Sequence, residues 1–225
     1  MKPTLTLYYH PLASYCHKVL IALYENDIQF KAEVIEYGVP NASDQLLEMW
    51  PVGKMPFLKD ERARLAVPES TIIIEHLDQH HAKRKLLPLK EADRLQARLW
   101  DRFFDNYVQT PMQKIVVDRL RPDHESDKRG VQEARTSLQV AYEMLEKQAK
   151  DKRWIINEEF TLADCAAAPA LFYATTLEPF KTEQKNCKSY FEKLMARPSV
   201  KRVIEEAKPF FLNYPYKENI PAQFL

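Results

Sequence analysis

The sequence predicts an α/β domain followed by an all-α domain, and two observations lead to this fold class. Over roughly the first eighty residues, alternating segments are mixed with helical ones, in the order strand, helix, strand, strand, strand, helix. From Lys90 onward, every periodic segment has helical spacing. Between the two regions, a basic cluster and Pro88 indicate a linker. We therefore predict domains at 1–82 and 90–225, joined by a linker at 83–89.

The first domain opens with TLTLYY, a β-branched and aromatic run that predicts a strand. The following SYCHKVLIALYEND predicts a helix, because Val19, Leu20 and Leu23 have helical spacing. Ser14 stands at the start of this helix and is predicted to be its N-cap, where a side-chain oxygen accepts a free backbone N–H. The next segment, QFKAEVIEY, alternates in polarity and predicts a half-buried strand.

Two further strands and a helix complete this domain. MPFLKDERARLAVPE predicts two short strands joined by a charged turn, and ESTIIIEHLDQHH predicts a helix with Ile73, Ile74 and Leu77 facing inward. Pro56 precedes the first of these strands, a position that proline tolerates in sheets. A cis bond there would present the backbone of Met55 to an extended peptide ligand. The motif alone favours trans, because only about 5% of X–Pro bonds are cis.

The segment VPES places Glu69 and Ser70 at the N-terminus of that helix. Backbone N–H groups and a hydroxyl at such a position can hold a ligand carboxylate, while Glu69 can hold an ammonium group. A simple N-terminal cap with a favourable acid explains the same two residues equally well.

The second domain is predicted to consist of helices. The first is long and kinked near Pro111, and the second starts after a loop around Gly130. The third, TLADCAAAPALFYATTL, is small and apolar, with a capping box in which Thr161 caps the helix and Asp164 reaches back. The segment KNCKSYFEKLMARPSVKRVIEEA predicts two short final helices separated at Pro198.

Composition and charge argue against several function classes. A net charge of +1 and a pI near 7.7 give no electrostatic basis for a nucleic-acid or membrane partner. No apolar run approaches the roughly 20 residues that a membrane span needs. The segment MKPTLTLYYHP lacks the apolar region of a signal peptide, and the three cysteines are far apart. We therefore expect a cytoplasmic protein in a reducing compartment.

The sequence also predicts no metal site. His76 and His80 have the i, i+4 spacing of a zinc-binding pair, but no further ligands stand near them in the sequence. No G-x-S-x-G segment is present to support a hydrolase triad.

The loop Ala13-Ser14-Tyr15-Cys16 has the spacing of a C-x-x-C redox site, with alanine in place of the first cysteine. Such a loop cannot run a dithiol cycle alone, but it can stabilise a thiolate that a substrate brings. Lowering a thiol pKa of about 8.5 by two units needs roughly 2.7 kcal/mol. A hydroxyl hydrogen bond contributes about 1.5–3 kcal/mol and a helix N-terminus up to about 2 kcal/mol, so Ser14 at a helix start is sufficient.

Taken together and in order, these segments resemble the soluble glutathione S-transferase superfamily over essentially the whole chain. The resemblance is carried by LYYHPLASYCHKVLIALYE, VGKMPFL, PESTIIIEHLD and FTLADCAAAP. It implies a thioredoxin-like N-terminal domain with a cis-proline loop, which binds glutathione as co-substrate. It also implies that the all-helical C-terminal domain supplies the pocket for a small hydrophobic electrophile, and that the protein is a homodimer.

The resemblance assigns the glutathione-binding residues by position. The backbone of Met55, beside Pro56, would pair with the cysteinyl part of glutathione. Glu69 and Ser70 would hold the γ-glutamyl group. Lys54 is positioned for the glycyl carboxylate, as lysines here are in some plant classes.

The thiol-activating residue is where this sequence departs from the family. Ala13 stands where many classes have their active serine or cysteine, and Ser14 follows one place later. Tyr9 aligns with the tyrosine of the alpha-, mu- and pi-like classes, and Cys16 aligns with the second cysteine of glutaredoxin-like loops. Ser14 and Tyr9 are therefore the catalytic candidates.

Three functions follow from the resemblance. The leading hypothesis is a detoxifying glutathione transferase that ionises the glutathione thiol and conjugates it to the electrophile. A second is a glutathione-dependent thiol reductase or peroxidase that uses Cys16. A third is a non-catalytic binding protein on the same scaffold, as in the stringent-starvation regulators, which resemble transferases and bind RNA polymerase.

Overall fold

The computed structural model describes residues 3–36 and 39–225, and its N-terminal part is a four-stranded mixed sheet packed with helices. The strand order is β2-β1-β3-β4, with β1 parallel to β2 and antiparallel to β3, and β3 antiparallel to β4. The strands are β1 (Leu5–Tyr9), β2 (Lys31–Val34), β3 (Phe57–Asp60) and β4 (Leu65–Pro68). The helices are α1 (Ser14–Glu25), α2 (Asp44–Met49) and α3 (Ser70–His80). This is the predicted thioredoxin-like arrangement, with the short α2 as an addition.

The C-terminal part is all-helical, as predicted. Its helices are α4 (Glu91–Phe103), α5 (Thr110–Arg119), α6 (Lys128–Gln148), α7 (Leu162–Leu177), α8 (Lys185–Ala196) and α9 (Pro198–Ala207). A π-helical segment at Phe104–Gln109 joins α4 to α5, and short 3-10 turns follow α9 up to Phe224. Across the described ranges, no helix is long and apolar enough to cross a membrane.

The predicted burial of β2 is wrong. Lys31, Ala32 and Val34 are exposed, because β2 is the edge strand of the sheet. The buried position comes one residue after the strand, where Ile35 joins a small apolar cluster between the sheet and α2. Tyr37, the last residue of the predicted QFKAEVIEY strand, lies outside the described residues.

Helix α1 begins one residue earlier than predicted, so Ser14 is its first residue and not its N-cap. The N-cap is Ala13, which has extended backbone geometry and no side-chain capping bond. The Ala13 N–H donates to the carbonyl of His10 over 3.0 Å, and the Ala13 carbonyl accepts the N–H of His17 over 3.0 Å. A backbone turn at His10 therefore determines where the helix starts.

The predicted kink near Pro111 takes the form of the π-helical segment. Proline has no N–H to donate, so the regular hydrogen-bond ladder is interrupted there. One residue earlier, the Thr110 N–H donates to the carbonyl of Asp105, five residues back, and the Thr110 hydroxyl donates to the same carbonyl over 3.0 Å. Segments of this kind occur often at functional sites.

The predicted loop around Gly130 is wrong, because Gly130 lies in the first turn of α6. The N-cap is Asp127, whose carboxylate accepts the Gly130 N–H over 2.9 Å. A Cβ at position 130 would overlap that carboxylate and the side chain of Lys114, which explains why glycine occupies a helical position.

Helix α7 is the central helix, and the predicted capping box anchors it. Almost every residue of α7 is buried, and the helix contacts α1 of the first domain as well as α4, α5 and α8. The fully buried Asp164 carboxylate accepts the Thr161 N–H over 2.8 Å, the Ile155 N–H over 3.0 Å and the Tyr190 hydroxyl over 2.7 Å. One carboxylate thus joins the start of α7 to the preceding loop and to α8.

We expect Asp164→Ala to lower the free energy of unfolding by about 2–4 kcal/mol, because it removes a cap and leaves several buried donors without an acceptor. Urea unfolding measures this change. The matched control is Asp127→Ala, which removes a partly exposed cap and should cost about 0.5–2 kcal/mol. Equal losses in the two variants would show that burial of Asp164 does not matter.

Candidate active site

One cleft, of about 190 Å³, lies between the loops of the first domain and the start of the helical domain. Its lining residues are Tyr15, Lys54, Met55, Pro56, Glu69, Ser70, Arg102 and Asp105. The structure therefore brings together all five residues that the resemblance assigns to glutathione. They come from two segments, the turn before β3 and the start of α3, which the sheet places side by side.

The Met55–Pro56 peptide bond is cis. The trans bond that the motif alone favours is therefore wrong, and the cis-proline loop implied by the resemblance is confirmed. Strand β3 begins immediately afterwards, where Phe57 pairs with Tyr8 of β1. Met55 consequently lies at the cleft as an extension of a strand that is already anchored in the sheet.

Glu69 has a backbone conformation that points to function. Its φ of 69° lies in the left-handed region, which is uncommon for a residue other than glycine. It is the N-cap of α3, but its side chain makes no capping hydrogen bond. Only its carbonyl serves the helix, by accepting the Ile73 N–H over 2.8 Å. The Glu69 side chain therefore does not cap the helix, and it is available to the cleft that Glu69 lines.

The opposite wall of the cleft comes from the helical domain. Arg102 donates to the Asp105 carboxylate over 2.9 Å and to the Asn106 side chain over 2.9 Å. Burial raises the pKa of Asp105 above its ordinary value, against the opposing effect of Lys18. Asp105 lies in the π-helical segment, so the irregular turn ahead of Pro111 supplies a charged residue to the cleft.

Behind this wall lies a buried network around Lys18 of α1. The Lys18 ammonium is 2.6 Å from an Asp101 oxygen and 2.9 Å from an Asp105 oxygen. It also donates to the Thr71 hydroxyl over 2.9 Å, and that hydroxyl donates to Asp101 over 2.8 Å. Because Thr71 follows Ser70 directly, the network ties the start of α3 to the helical domain.

The two predicted thiol activators lie elsewhere. Ser14 is 7% exposed, and neither it nor Tyr9 is among the described residues that line the cleft. Tyr9 is half-buried against the core, and its pKa is raised by burial, by Glu206 and by Cys16. The carboxylate that influences Tyr9 belongs to α9, not to the wall of the cleft.

Besides Ser70, the hydroxyl-bearing residue that lines the cleft is Tyr15 of α1. Burial and the nearby Asp105 raise its pKa to about 12, so the phenol stays protonated at neutral pH and remains a hydrogen-bond donor. Its contact with the Asp105 carbonyl is long, at 3.5 Å, and it also interacts with the Thr110 side chain, so donation to a ligand requires the hydroxyl to turn away from these partners.

The Cys16 thiol is fully buried. Burial raises its pKa to about 12, so the thiol is protonated as well as enclosed. Reactive cysteines are accessible and have lowered pKa values. These properties argue against the reductase hypothesis.

Sequence reasoning missed Tyr15, Arg102, Asp105 and Lys18. Two signals were present in the sequence. Lys18 interrupts an otherwise apolar helix face in HKVLIAL, and Asp101 and Asp105 stand four residues apart on one helix. No local pattern, however, indicates that residues so far apart in the chain meet.

Comparison with known proteins agrees with this geometry. The family described as "Glutathione S-transferase, N-terminal domain" matches residues 7–85, and "Glutathione S-transferase, C-terminal domain" matches residues 108–198. A "Probable glutathione S-transferase" of Nicotiana tabacum is 30% identical over 175 residues, which cover 77% of this chain and 71% of that protein. The chain belongs to the glutathione S-transferase superfamily.

Two further proteins are similar to this chain over most of its length. A "Stringent starvation protein A homolog" of Haemophilus influenzae is 29% identical over 215 residues, covering 92% of this chain and 93% of that protein. A glutathione S-transferase from Methylobacillus flagellatus, solved with GSH bound, has the same fold with a TM-score of 0.81 and 22% identity. That match covers 88% of this chain and 98% of the solved one.

We expect Lys18→Met to lower the free energy of unfolding by about 3–5 kcal/mol, because it leaves two carboxylates buried without their ammonium partner. Urea unfolding measures the loss. The control is Lys59→Met, which breaks an ion pair with Glu61 that is exposed on both sides and should leave the unfolding midpoint unchanged. A Lys18→Met variant as stable as the parent would contradict the importance of this network.

Proposed function

We propose that this protein is a glutathione transferase that binds glutathione in the cleft, lowers the pKa of its thiol and conjugates it to a small hydrophobic electrophile. The observation that carries the proposal is the convergence of Lys54, Met55, Glu69 and Ser70 on one cleft beside the cis Pro56. The family membership supports the same reaction.

The cleft offers a matching partner for each end of the tripeptide. Glutathione has an α-carboxylate and an ammonium group at its γ-glutamyl end, and another carboxylate at its glycyl end. Ser70 and the N-terminal N–H groups of α3 suit the first carboxylate, and Glu69 suits the ammonium. Lys54, in the turn before β3, suits the glycyl carboxylate. The Met55 backbone, as a strand extension, suits the amides of the cysteinyl residue.

With the tripeptide held in this way, its thiol lies towards the start of α1. The helix N-terminus stabilises a thiolate there, and a hydroxyl donor adds to it. We take Tyr15 as that donor, because it is the hydroxyl-bearing residue of α1 that lines the cleft, whereas the predicted Ser14 is almost enclosed. Ser14 and Tyr9 are the alternatives that variants must separate.

A second candidate is a binding protein without catalysis, and the similarity to the Haemophilus influenzae stringent starvation protein homolog favours it. Such a protein need not retain an ammonium-binding acid or a carboxylate-binding hydroxyl. Glu69 and Ser70, both in the cleft, therefore support the transferase. Measured glutathione affinity separates the two candidates.

We further propose that the protein is a homodimer and lies in the cytoplasm. An apolar groove of about 440 Å³ lies on the face formed by α4, the π-helical segment and α6. Tyr107, Val140 and Met144 line it and are 60%, 53% and 49% exposed. A second copy covering this face would remove that apolar surface from water. The three cysteines are free and buried, which fits a reducing compartment.

We expect Glu69→Gln and Ser70→Ala each to weaken glutathione binding at least about tenfold, which corresponds to about 1.4 kcal/mol. Each variant removes a charge-assisted hydrogen bond to the γ-glutamyl group. Isothermal titration calorimetry measures the affinity. Glu75→Gln is the control, because it neutralises an acid of the same helix that pairs with Arg98. Unchanged affinity in both cleft variants would remove these residues from the site.

We expect Tyr15→Phe to raise the pKa of the bound glutathione thiol by about one to two units, because the thiolate loses a donor worth about 1.5–3 kcal/mol. A higher thiol pKa means less thiolate at neutral pH, so the conjugation rate there should fall roughly tenfold to a hundredfold. The rate should recover at high pH, where the thiol ionises unaided. Thiolate absorbance and a chromogenic electrophile measure the two effects.

The same measurements on Ser14→Ala and Tyr9→Phe identify the donor. A loss confined to Ser14→Ala would restore the sequence-based assignment, and a loss confined to Tyr9→Phe would place the protein with the tyrosine classes. Equal behaviour of all three variants and the parent would leave activation to the helix N-terminus alone. In every case, unchanged glutathione affinity shows that the variant acts on the thiol and not on binding.

A further inference from the structure

A cluster of Asp60, His76 and His81 lies at the opposite end of α3 from the cleft. Asp60 is the last residue of β3, and His76 and His81 belong to the last turns of α3 and the residue after it. Because α3 starts at the cleft with Ser70 and rises about 1.5 Å per residue, the cluster is roughly 10–15 Å from the glutathione site. It is therefore a separate feature of the first domain.

The side chains of this cluster converge on one point. His76 Nε2 is 2.8 Å from Asp60 Oδ2, and His81 Nε2 is 2.7 Å from the same oxygen. The three ligand atoms all lie within 4.8 Å of one another. Asp60 and His76 are buried, and His81 is partly exposed, so the cluster is enclosed on the protein side and reachable from solvent.

The backbone holds each of these groups in place. The other Asp60 oxygen accepts the N–H groups of Arg62 and Ala63 over 3.0 and 3.1 Å, which orients the carboxylate. His76 projects from the body of α3, and the His81 N–H donates to the Leu77 carbonyl over 2.9 Å at the end of the helix. The arrangement is thus formed by short side chains on regular structure, which is what a metal site requires.

The types of donor atom in the cluster indicate which metal ion it would bind. Two imidazole nitrogens and one carboxylate oxygen, with a further position open to solvent, suit a divalent transition metal of borderline softness. Zinc takes such ligands at about 2.0–2.2 Å, so the separations of 2.8 and 2.7 Å between Asp60 and the two histidines would open by about half an ångström. Each imidazole would then carry its proton on Nδ1 and present Nε2 to the ion.

We propose that Asp60, His76 and His81 form a binding site for one zinc ion. The ion would clamp the β3–β4 hairpin to the end of α3, a structural role separate from the cleft. The sequence predicted no metal because the i, i+4 pair of His76 and His80 had no neighbouring ligand. In the structure the second histidine of the cluster is His81, and the sheet supplies Asp60, sixteen residues before His76. Without an ion, the same atoms form two hydrogen bonds, and this is the competing interpretation.

Calorimetric titration of the full-length, tag-free, metal-depleted protein with Zn²⁺ tests the proposal. We expect one equivalent to bind with a dissociation constant on the order of micromolar or tighter, and to raise the melting temperature. Cobalt(II) in place of zinc should give the visible absorption of a low-coordinate N/O site. Glutathione affinity should be the same with and without the metal, because the cleft is distant.

Single substitutions test which residues bind the zinc ion. His81→Gln removes the ligand on the solvent side and should weaken zinc binding at least tenfold, and Asp60→Asn serves the same purpose if His81→Gln does not fold. His124→Gln is the control, because this exposed histidine lies outside the cluster and its loss should change nothing. Absence of saturable zinc binding would overturn the proposal. So would binding that persists in both cluster variants, or that is lost in His124→Gln.

Discussion

The geometry of the cleft depends on one buried ammonium group. Lys18 projects from α1 and is shared by Asp101 and Asp105 of the helical domain and by Thr71 of α3. Burying these charges costs desolvation energy, and replacing them with apolar groups of similar volume is often neutral or stabilising in other proteins. We infer that the network serves mainly to orient the elements that form the cleft. It fixes the start of α3, which includes Ser70, relative to the wall that contains Asp105.

The π-helical segment beside this network arises from a nearby proline, and it affects the position of Asp105 at the cleft. Pro111 cannot donate a hydrogen bond, and the chain ahead of it takes a π-helical turn in which the Asp105 carbonyl accepts both the N–H and the hydroxyl of Thr110. The Asp105 carboxylate is then held by Lys18 and Arg102 at the edge of the cleft. A proline in the helical domain therefore helps to shape a cleft whose proposed glutathione-binding residues belong to the other domain.

The sequence predicted those features whose causes are local. The strands at TLTLYY and MPFLKD, the inward face of α3 and the capping box at Asp164 follow from period, turn chemistry and capping. The predicted burial of β2 was wrong because the strand lies at the edge of the sheet, and the predicted start of α1 was wrong because a backbone turn at His10 sets it. The walls of the cleft and the histidine cluster could not be predicted, since Lys18 meets Asp105 across 87 residues and Asp60 meets His81 across 21.

We propose that the cleft binds glutathione and ionises its thiol. The most direct measurement is the pH titration of thiolate absorbance in the parent protein saturated with glutathione. We expect a bound-thiol pKa about two units below the ordinary value of about 8.5, because the helix N-terminus and one hydroxyl together stabilise the thiolate by that amount. A bound-thiol pKa at the ordinary value would contradict thiol activation, and absence of saturable binding would contradict the glutathione site itself.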